Sequence, residues 1–310
     1  MSGSSKKVIY AALVGNTLVA LTKFVAAAVT GSSAMLSEGI HSLVDTGNQA
    51  LLLYGLRQAR KPADEHFPFG HGKEIYFWSF VVAILVFALG AGVSIYEGIV
   101  HLRHPVVIAS PYINYIVLGL AMLFEGAAWY FALREFSTTK GRFGYLEAVR
   151  RGKDPTTFVV LFEDSAAMLG LMVAFAGVAL SQATSLPWFD GLASIIIGLL
   201  LAATAIWLAV ETKGLLIGES ANRWIVEGVR ELAASVDGVE HVNDVLTMHM
   251  GPEYILVTIS VDLGDALTAA DVERISAGLD CEIQANYANV KRVFVEARAR
   301  NGTQTQTRSQ

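Results

Sequence analysis

His41 and Asp45 stand four residues apart in an otherwise mostly apolar stretch, a spacing that puts both side chains on one face of a helix. An imidazole nitrogen and a carboxylate oxygen are both ligands for a divalent transition metal. The same spacing suits a structural His–Asp hydrogen bond, and both readings stand at this point. Glu38 lies one turn before His41. Further along, Glu163 and Asp164 form an adjacent carboxylate pair beside the small residues Ser165, Ala166 and Ala167. The pair sits either inside an apolar helix or at its end, and the Phe158–Phe162 run before it favours the interior. Together these residues supply one nitrogen and two or three carboxylates for a buried metal site.

A second group lies in the segment Pro62–Gly72, which reads PADEHFPFGHG and carries Asp64, Glu65, His66 and His71. It is either a surface metal site or a polar turn. His241 and His249 lack partners at a ligand spacing and carry no such expectation. Glu125 is placed to carry protons or to be neutralised by Lys23, and Asn16 either lines the same cavity or bonds between helices. Glu97, Asp190 and Glu211 fall near the ends of apolar runs, where solvated helix termini are expected. There is no HExxH helix, no GxxxxGK[ST] nucleotide loop, no GxSxG elbow and no kinase signature. Without a nucleotide site, any transport must be driven by a gradient.

The elements that must hold these groups follow from composition. Of the 310 residues, 53% are hydrophobic and 16% charged, against about 25% charged in ordinary soluble domains. A spanning helix needs about 20 mostly apolar residues, and the runs 8–30, 34–57, 75–101, 111–133, 156–180 and 188–212 meet or approach that length. Ionisable residues inside such runs are costly and therefore functional candidates. Lys6 and Lys7, then Arg57, Arg60, Lys61 and Lys73, then Arg134, Lys140, Arg142, Arg150, Arg151 and Lys153 fall on one side of the alternation, while Arg103 stands out on the other. This predicts cytoplasmic termini. The basic residues before the first run, which has no small-residue cleavage pattern, predict a retained helix rather than a signal peptide.

From about Lys213 the pattern becomes that of a soluble α+β domain. A helix is expected over 222–236, strands over 240–250 and 254–263, a helix over 268–286 with Thr268 as N-cap, and a strand over 290–297. The divisions are thus 1–212, 213–298 and a polar, disordered tail 299–310. A net charge of −5 indicates no basic surface for nucleic acid, and the single Cys281 excludes a disulfide framework or a cysteine metal cluster.

Several of these residues fall into a recognisable set. Gly15-Asn16 and Lys23 are followed by GSSAMLSEGIHSLVD over 31–45, Pro62-Ala63-Asp64, Phe69-Gly70-His71-Gly72-Lys73, Asp190-Gly191-Leu192-Ala193-Ser194 and Leu215-Leu216-Ile217-Gly218-Glu219. As a set they resemble the cation diffusion facilitator family of metal/proton antiporters, over roughly 8–297. The segment from Lys153-Asp154-Pro155-Thr156-Thr157 through Leu161-Phe162-Glu163-Asp164-Ser165-Ala166-Ala167 further resembles the branch typified by zinc transporter 9. The resemblance implies a six-helix transmembrane domain, a cytoplasmic ferredoxin-like domain and a homodimer. It also implies one metal held between the second and fifth helices, with His41, Asp45 and Asp164 on ligand positions.

The fourth implied position departs, because Val160 cannot bind metal. Glu163 is the natural substitute and Glu38 another; Asp64, His66 and His71 remain candidates for the second site. A set with one nitrogen and several oxygens lessens the bias toward zinc and leaves iron or manganese open. Where some members carry a cytoplasmic metal cluster, this chain has Asn243, Ile259 and Glu296, so the soluble domain is expected to dimerise without one.

The expected function is proton-coupled efflux of a divalent metal, zinc first and iron or manganese next. No cofactor is expected beyond the transported ion. The partners expected are metal, protons, lipid and a second copy of the chain, in a bacterial cytoplasmic membrane. A transport-inactive metal sensor is the alternative, and a membrane metalloenzyme ranks below it.

Overall fold

The computed structural model describes residues 3–108, 110–139 and 155–300. The cations Lys140, Arg142, Arg150, Arg151 and Lys153, and the tail from residue 301 onward, lie outside the described residues. The chain divides into two compact units: residues up to Arg60 with Glu74–Lys213, and Lys61–Lys73 with everything from Gly214. The segment 61–73, flanked in sequence by apolar helices, therefore groups with the C-terminal residues.

In the first unit every predicted apolar run is helical. The elements are α1 (Gly3–Thr30), α2 (Ser33–Ala59), α3 (Glu74–Leu85), α4 (Gly92–Arg103), α5 (Pro111–Thr139), α6 (Pro155–Thr184) and α7 (Trp188–Ile217). A π-helical turn, Val86–Ala91, joins α3 to α4, so the expected single helix over 75–101 carries one locally widened turn. Among the described residues four helices are long and apolar enough to cross a membrane: Glu74–Arg103, Pro111–Arg134, Val159–Thr184 and Trp188–Ile217. The described apolar part of α1, Asn16–Thr30, is shorter. The second predicted run, α2, is absent from that set because it carries Glu38, His41, Asp45 and Arg57.

The unit's core joins Met35 and Leu52 of α2, Val82 of α3, Leu118 of α5, Leu171 of α6 and Leu201 of α7. Large apolar side chains also point outward, including Leu123, Phe124 and Phe131 on α5 and Leu199, Ile206 and Val210 on α7. That inside-and-out hydrophobicity fits a lipid surround.

The α1–α2 corner shows how α2 is set in place. Gly31 takes φ +69°, the left-handed conformation that favours glycine, and its N–H returns to the Ala27 carbonyl at 2.8 Å. Ser32 then caps α2 by accepting from Met35 N at 3.1 Å. Asp190, near the start of α7, accepts from Ser32 Oγ at 2.6 Å, Ser33 N at 2.5 Å and Ser33 Oγ at 2.9 Å. Its expected solvated position is thereby corrected: Asp190 is buried, because the positive end of α2 and the freed N–H groups of its first turn take the place of water.

The second unit contains α8 (Arg223–Ala234), β1 (Val239–Gly251), β2 (Tyr254–Leu263), α9 (Ala269–Asn286) and β3 (Val290–Ala297). This is the α-β-β-α-β order read from the sequence. The sheet runs β1-β2-β3, with β2 antiparallel to β1 and parallel to β3. Central β2 buries Ile255, Val257, Ile259 and Val261 against Ile225 and Val229 of α8 and Ile275, Leu279 and Ile283 of α9. Thr268 caps α9 in a reciprocal capping box with Asp271. The segment 61–73 approaches β1 so closely that a Cβ on Gly72 would collide with the Met250 carbonyl oxygen.

Candidate metal centre

The polar face of α2 carries Glu38, His41, Asp45 and Asn48 at successive offsets of three, four and three residues, so all four share one helical stripe. His41 and Asn48 are buried and Asp45 is mostly so. His41 Nδ1 lies 3.4 Å from Asp45 Oδ1, too long and too poorly aligned to count as a hydrogen bond. Both nitrogens of His41, Oδ1 of Asp45 and Oδ1 of Asn48 are buried without a hydrogen-bond partner. More than nine in ten buried polar groups are paired, so a row of four unpaired atoms is a feature to be explained. The structural His–Asp hydrogen bond that the spacing also allowed is not formed.

The facing residues come from α6. Asn48 Nδ2 donates to Glu163 Oε1 at 2.9 Å, tying the second helix to the carboxylate pair. Asp164 is half-buried beside it. Glu163, Asp164 and Glu125 of α5 all act on Asp45 through space, so four carboxyl groups share one low-dielectric neighbourhood. Local packing holds the first part of α6: Trp129 Nε1 of α5 donates to Ser165 Oγ at 3.0 Å, and Phe162 packs on Trp207 of α7 with ring centroids 4.2 Å apart. The carboxylate pair thus lies inside the helix, as the Phe158–Phe162 run implied.

Glu38 is engaged elsewhere. Lys23 of α1 is fully buried, and its Nζ donates to Glu38 Oε2 at 3.1 Å and to Ser42 Oγ at 2.7 Å. The other oxygen, Oε1, faces the backbone of Gly170 on α6. Glu38 therefore serves as counter-ion to Lys23. Lys23 in turn is the partner of Glu38 rather than of Glu125. Asn16 Nδ2 donates to Gln49 Oε1 at 3.0 Å, an α1–α2 bond.

In this arrangement the donors are gathered but not closed around a point: among the described residues no three His, Cys, Asp or Glu groups meet at metal-holding distance. That includes the loop 62–72. There His71 Nε2 lies 2.9 Å from Asp64 Oδ2, while Asp64 Oδ1 accepts from His66 N at 2.9 Å and Phe67 N at 2.8 Å. The His71 hydrogen bond, and next the one from Phe67 N, hold the Asp64 carboxyl below its ordinary value. Phe67 packs on the His71 ring at 4.5 Å and the His66 side chain is exposed. Asp64 and His71 come together, and His66 takes part only through its backbone.

Asn48 went unremarked in the sequence because a neutral amide does not stand out as a charge does. The signal was its spacing: three residues beyond Asp45, on the same face.

Comparison with known proteins places these residues in context. The family model of the cation efflux transmembrane domain matches residues 9–217. The Xenopus laevis "Proton-coupled zinc antiporter SLC30A9, mitochondrial" is 36% identical over 278 residues, a match covering 88% of this chain and 49% of that one. The chain therefore spans about half the length of that relative. The Bacillus subtilis "Manganese efflux system protein MneP" is 23% identical over 300 residues, covering 94% of this chain and 95% of the relative. A solved nickel form of a MamM C-terminal-domain variant is 18% identical with TM-score 0.24, covering 26% of this chain and 100% of that one.

Proposed function

The chain belongs to the cation efflux family, and from that premise we propose that it exports a divalent metal cation in exchange for protons. The observation that carries this reading is the row of buried donors on α2, with His41 and Asp45 left unpaired opposite Glu163 and Asp164. Such atoms are costly unless something positive visits them. His41 and Asp45 from α2 and Asp164 from α6 bind the ion, with Glu163 taking the position that Val160 cannot fill. An imidazole and carboxylates ligate only in deprotonated form, so metal and protons compete for the same groups. A proton gradient then drives release on the outer face. Metal is the cargo; no further cofactor is needed.

The donor set is one nitrogen with several oxygens, which accommodates zinc but also manganese or iron. The relatives named for zinc and for manganese support that range. The setting proposed is a membrane domain of six spans, α1, α2, the joined α3–α4, α5, α6 and α7, in a bacterial cytoplasmic membrane. The Lys/Arg alternation supports cytoplasmic termini. The C-terminal α+β unit is assigned to homodimerisation, and catalysis of a covalent reaction to none of these residues.

Val160 and the open arrangement favour one second reading, a member that binds metal without moving it. Both readings are tested by measuring Zn²⁺, Mn²⁺, Fe²⁺ and Co²⁺ uptake side by side into proteoliposomes, with His41→Ala and Asp164→Ala alongside. Uptake that either substitution lowers by about tenfold or more supports export. Metal binding without uptake supports the second reading. Uptake unchanged in both variants contradicts the assigned site.

A further inference from the structure

We infer that Asn48 is itself a ligand of the transported ion, its amide oxygen adding a neutral donor from α2 to the set His41, Asp45, Glu163 and Asp164. The inference rests on the export reading above and extends its ligand set. Asn48 is fully buried, and its amide is half used. Nδ2 donates to Glu163 Oε1 at 2.9 Å, the orientation that pairs an amide N–H with a carboxylate oxygen. Oδ1 is left buried with no donor.

Three features make that oxygen a ligand rather than a packing accident. It lies on the stripe that carries His41 and Asp45, one turn beyond Asp45, so the three side chains form a continuous row of acceptors on α2. Each member of the row has at least one buried unpaired atom. The Nδ2–Glu163 bond also fixes the amide of this α2 residue against a carboxylate of α6. Val160 offers no donor and Glu163 stands in for it on α6; Asn48 adds a further oxygen from α2. An uncharged amide oxygen adds coordination without a further negative charge among Asp45, Glu163 and Asp164. It is a hard ligand, suited to manganese or iron and less selective for zinc than an imidazole.

The test substitutes a soft ligand. In a Cys281→Ser background, so that no other thiol is present, Asn48→Cys and Asn48→Ala are purified as full chains in detergent and in proteoliposomes. The probes are Cd²⁺ and Mn²⁺. If Asn48 touches the ion, Asn48→Cys with Cd²⁺ shows a thiolate-to-metal charge-transfer absorption that the parent and Asn48→Ala lack. Its Cd²⁺:Mn²⁺ uptake ratio also rises by about tenfold over that of Asn48→Ala, as a soft ligand demands.

If Asn48 only positions Glu163, Cys and Ala slow both metals by the same factor and Cd²⁺ binds without the charge-transfer band; that result overturns the inference. Because the absorption needs no transport, it decides the ligand question even if the parent protein binds metal without moving it. Parent protein that neither binds nor moves either metal would instead overturn the export reading, and the ligand assignment with it. Asn48→Asp keeps an oxygen in nearly the same shape. It retains Mn²⁺ binding if the oxygen matters, and loses it as Ala does if only the donation to Glu163 matters.

Discussion

Lys23 and Glu38 offer the sharpest quantitative test of how the membrane unit holds itself together. Both side chains are 0% exposed, with Nζ to Oε2 at 3.1 Å. Replacing Lys23 by Met keeps a chain of similar length but strands the Glu38 carboxylate between an apolar stem and the Gly170 backbone. Removing one member of a buried pair costs about 3–5 kcal/mol, and losing the Ser42 hydrogen bond adds about 1 kcal/mol. At about 2–4 °C per kcal/mol, the unfolding midpoint drops by roughly 8–24 °C. Lys23→Met/Glu38→Gln removes both charges and keeps the shapes, and replacing both partners of a buried pair is often neutral. The double variant should therefore recover at least half of the loss. Tryptophan-fluorescence unfolding of the parent, both single variants and the double variant, in one detergent, reads the cycle. A Lys23→Met midpoint within about 2 °C of the parent, below even one hydrogen bond's worth, would show that the pair does not stabilise the fold. A double variant no more stable than Lys23→Met would show that the loss does not come from the stranded carboxylate.

Asp190→Asn removes the charge that caps α2 and weakens four contacts from Ser32, Ser33 and Ala34. It should cost about 2–4 kcal/mol in the same unfolding assay, and a loss below about 1 kcal/mol would place Asp190 at the solvated end first expected of it. Gly98→Ala would put a methyl 2.6 Å from Ile195 Cγ1 and 2.7 Å from the Gly191 carbonyl oxygen. Backbone cannot yield as a side-chain tip can, so α4 and α7 must separate, at a cost at or above the usual ~1–3 kcal/mol of overpacking, again read by unfolding. In the loop, a carboxyl held low contributes its stabilisation above the ordinary Asp value and loses it as pH falls through the lower value in the fold. Amide hydrogen exchange at His66 and Phe67 should show protection, relative to Asp64→Ala, from neutral pH down past about 3.9; release of Asp64 above that pH would contradict the assignment.

The helices were legible because a spanning segment must be apolar for about 20 residues, and few other sequences are. The small α+β unit was legible because Ile255, Val257, Ile259 and Val261 alternate in a strand that is buried at those positions. His41, Asp45, Glu163 and Asp164 stood out because charge inside an apolar run has no ordinary explanation. Their pairing was not legible. Lys23 meets Glu38 across two helices, fifteen residues apart in sequence, and nothing in the chain says that Glu125 is not its partner. Asp190 read as a helix-end carboxylate, and only the α1–α2 corner folding over it buries it. The π-helical turn at Val86–Ala91 falls inside an unbroken apolar run, where no local pattern marks it. The segment 61–73 read as a connection between spans, yet it packs with β1.

The proposed competition of metal and protons for the same buried groups is read by trapping a pH-sensitive dye in proteoliposomes, imposing a pH gradient and adding Zn²⁺ or Mn²⁺ while metal uptake is followed in parallel. Metal uptake and proton movement in the opposite sense should appear together, and both should vanish in His41→Ala/Asp45→Ala. Metal uptake with no accompanying proton movement, or proton movement that survives the double substitution, would contradict that competition.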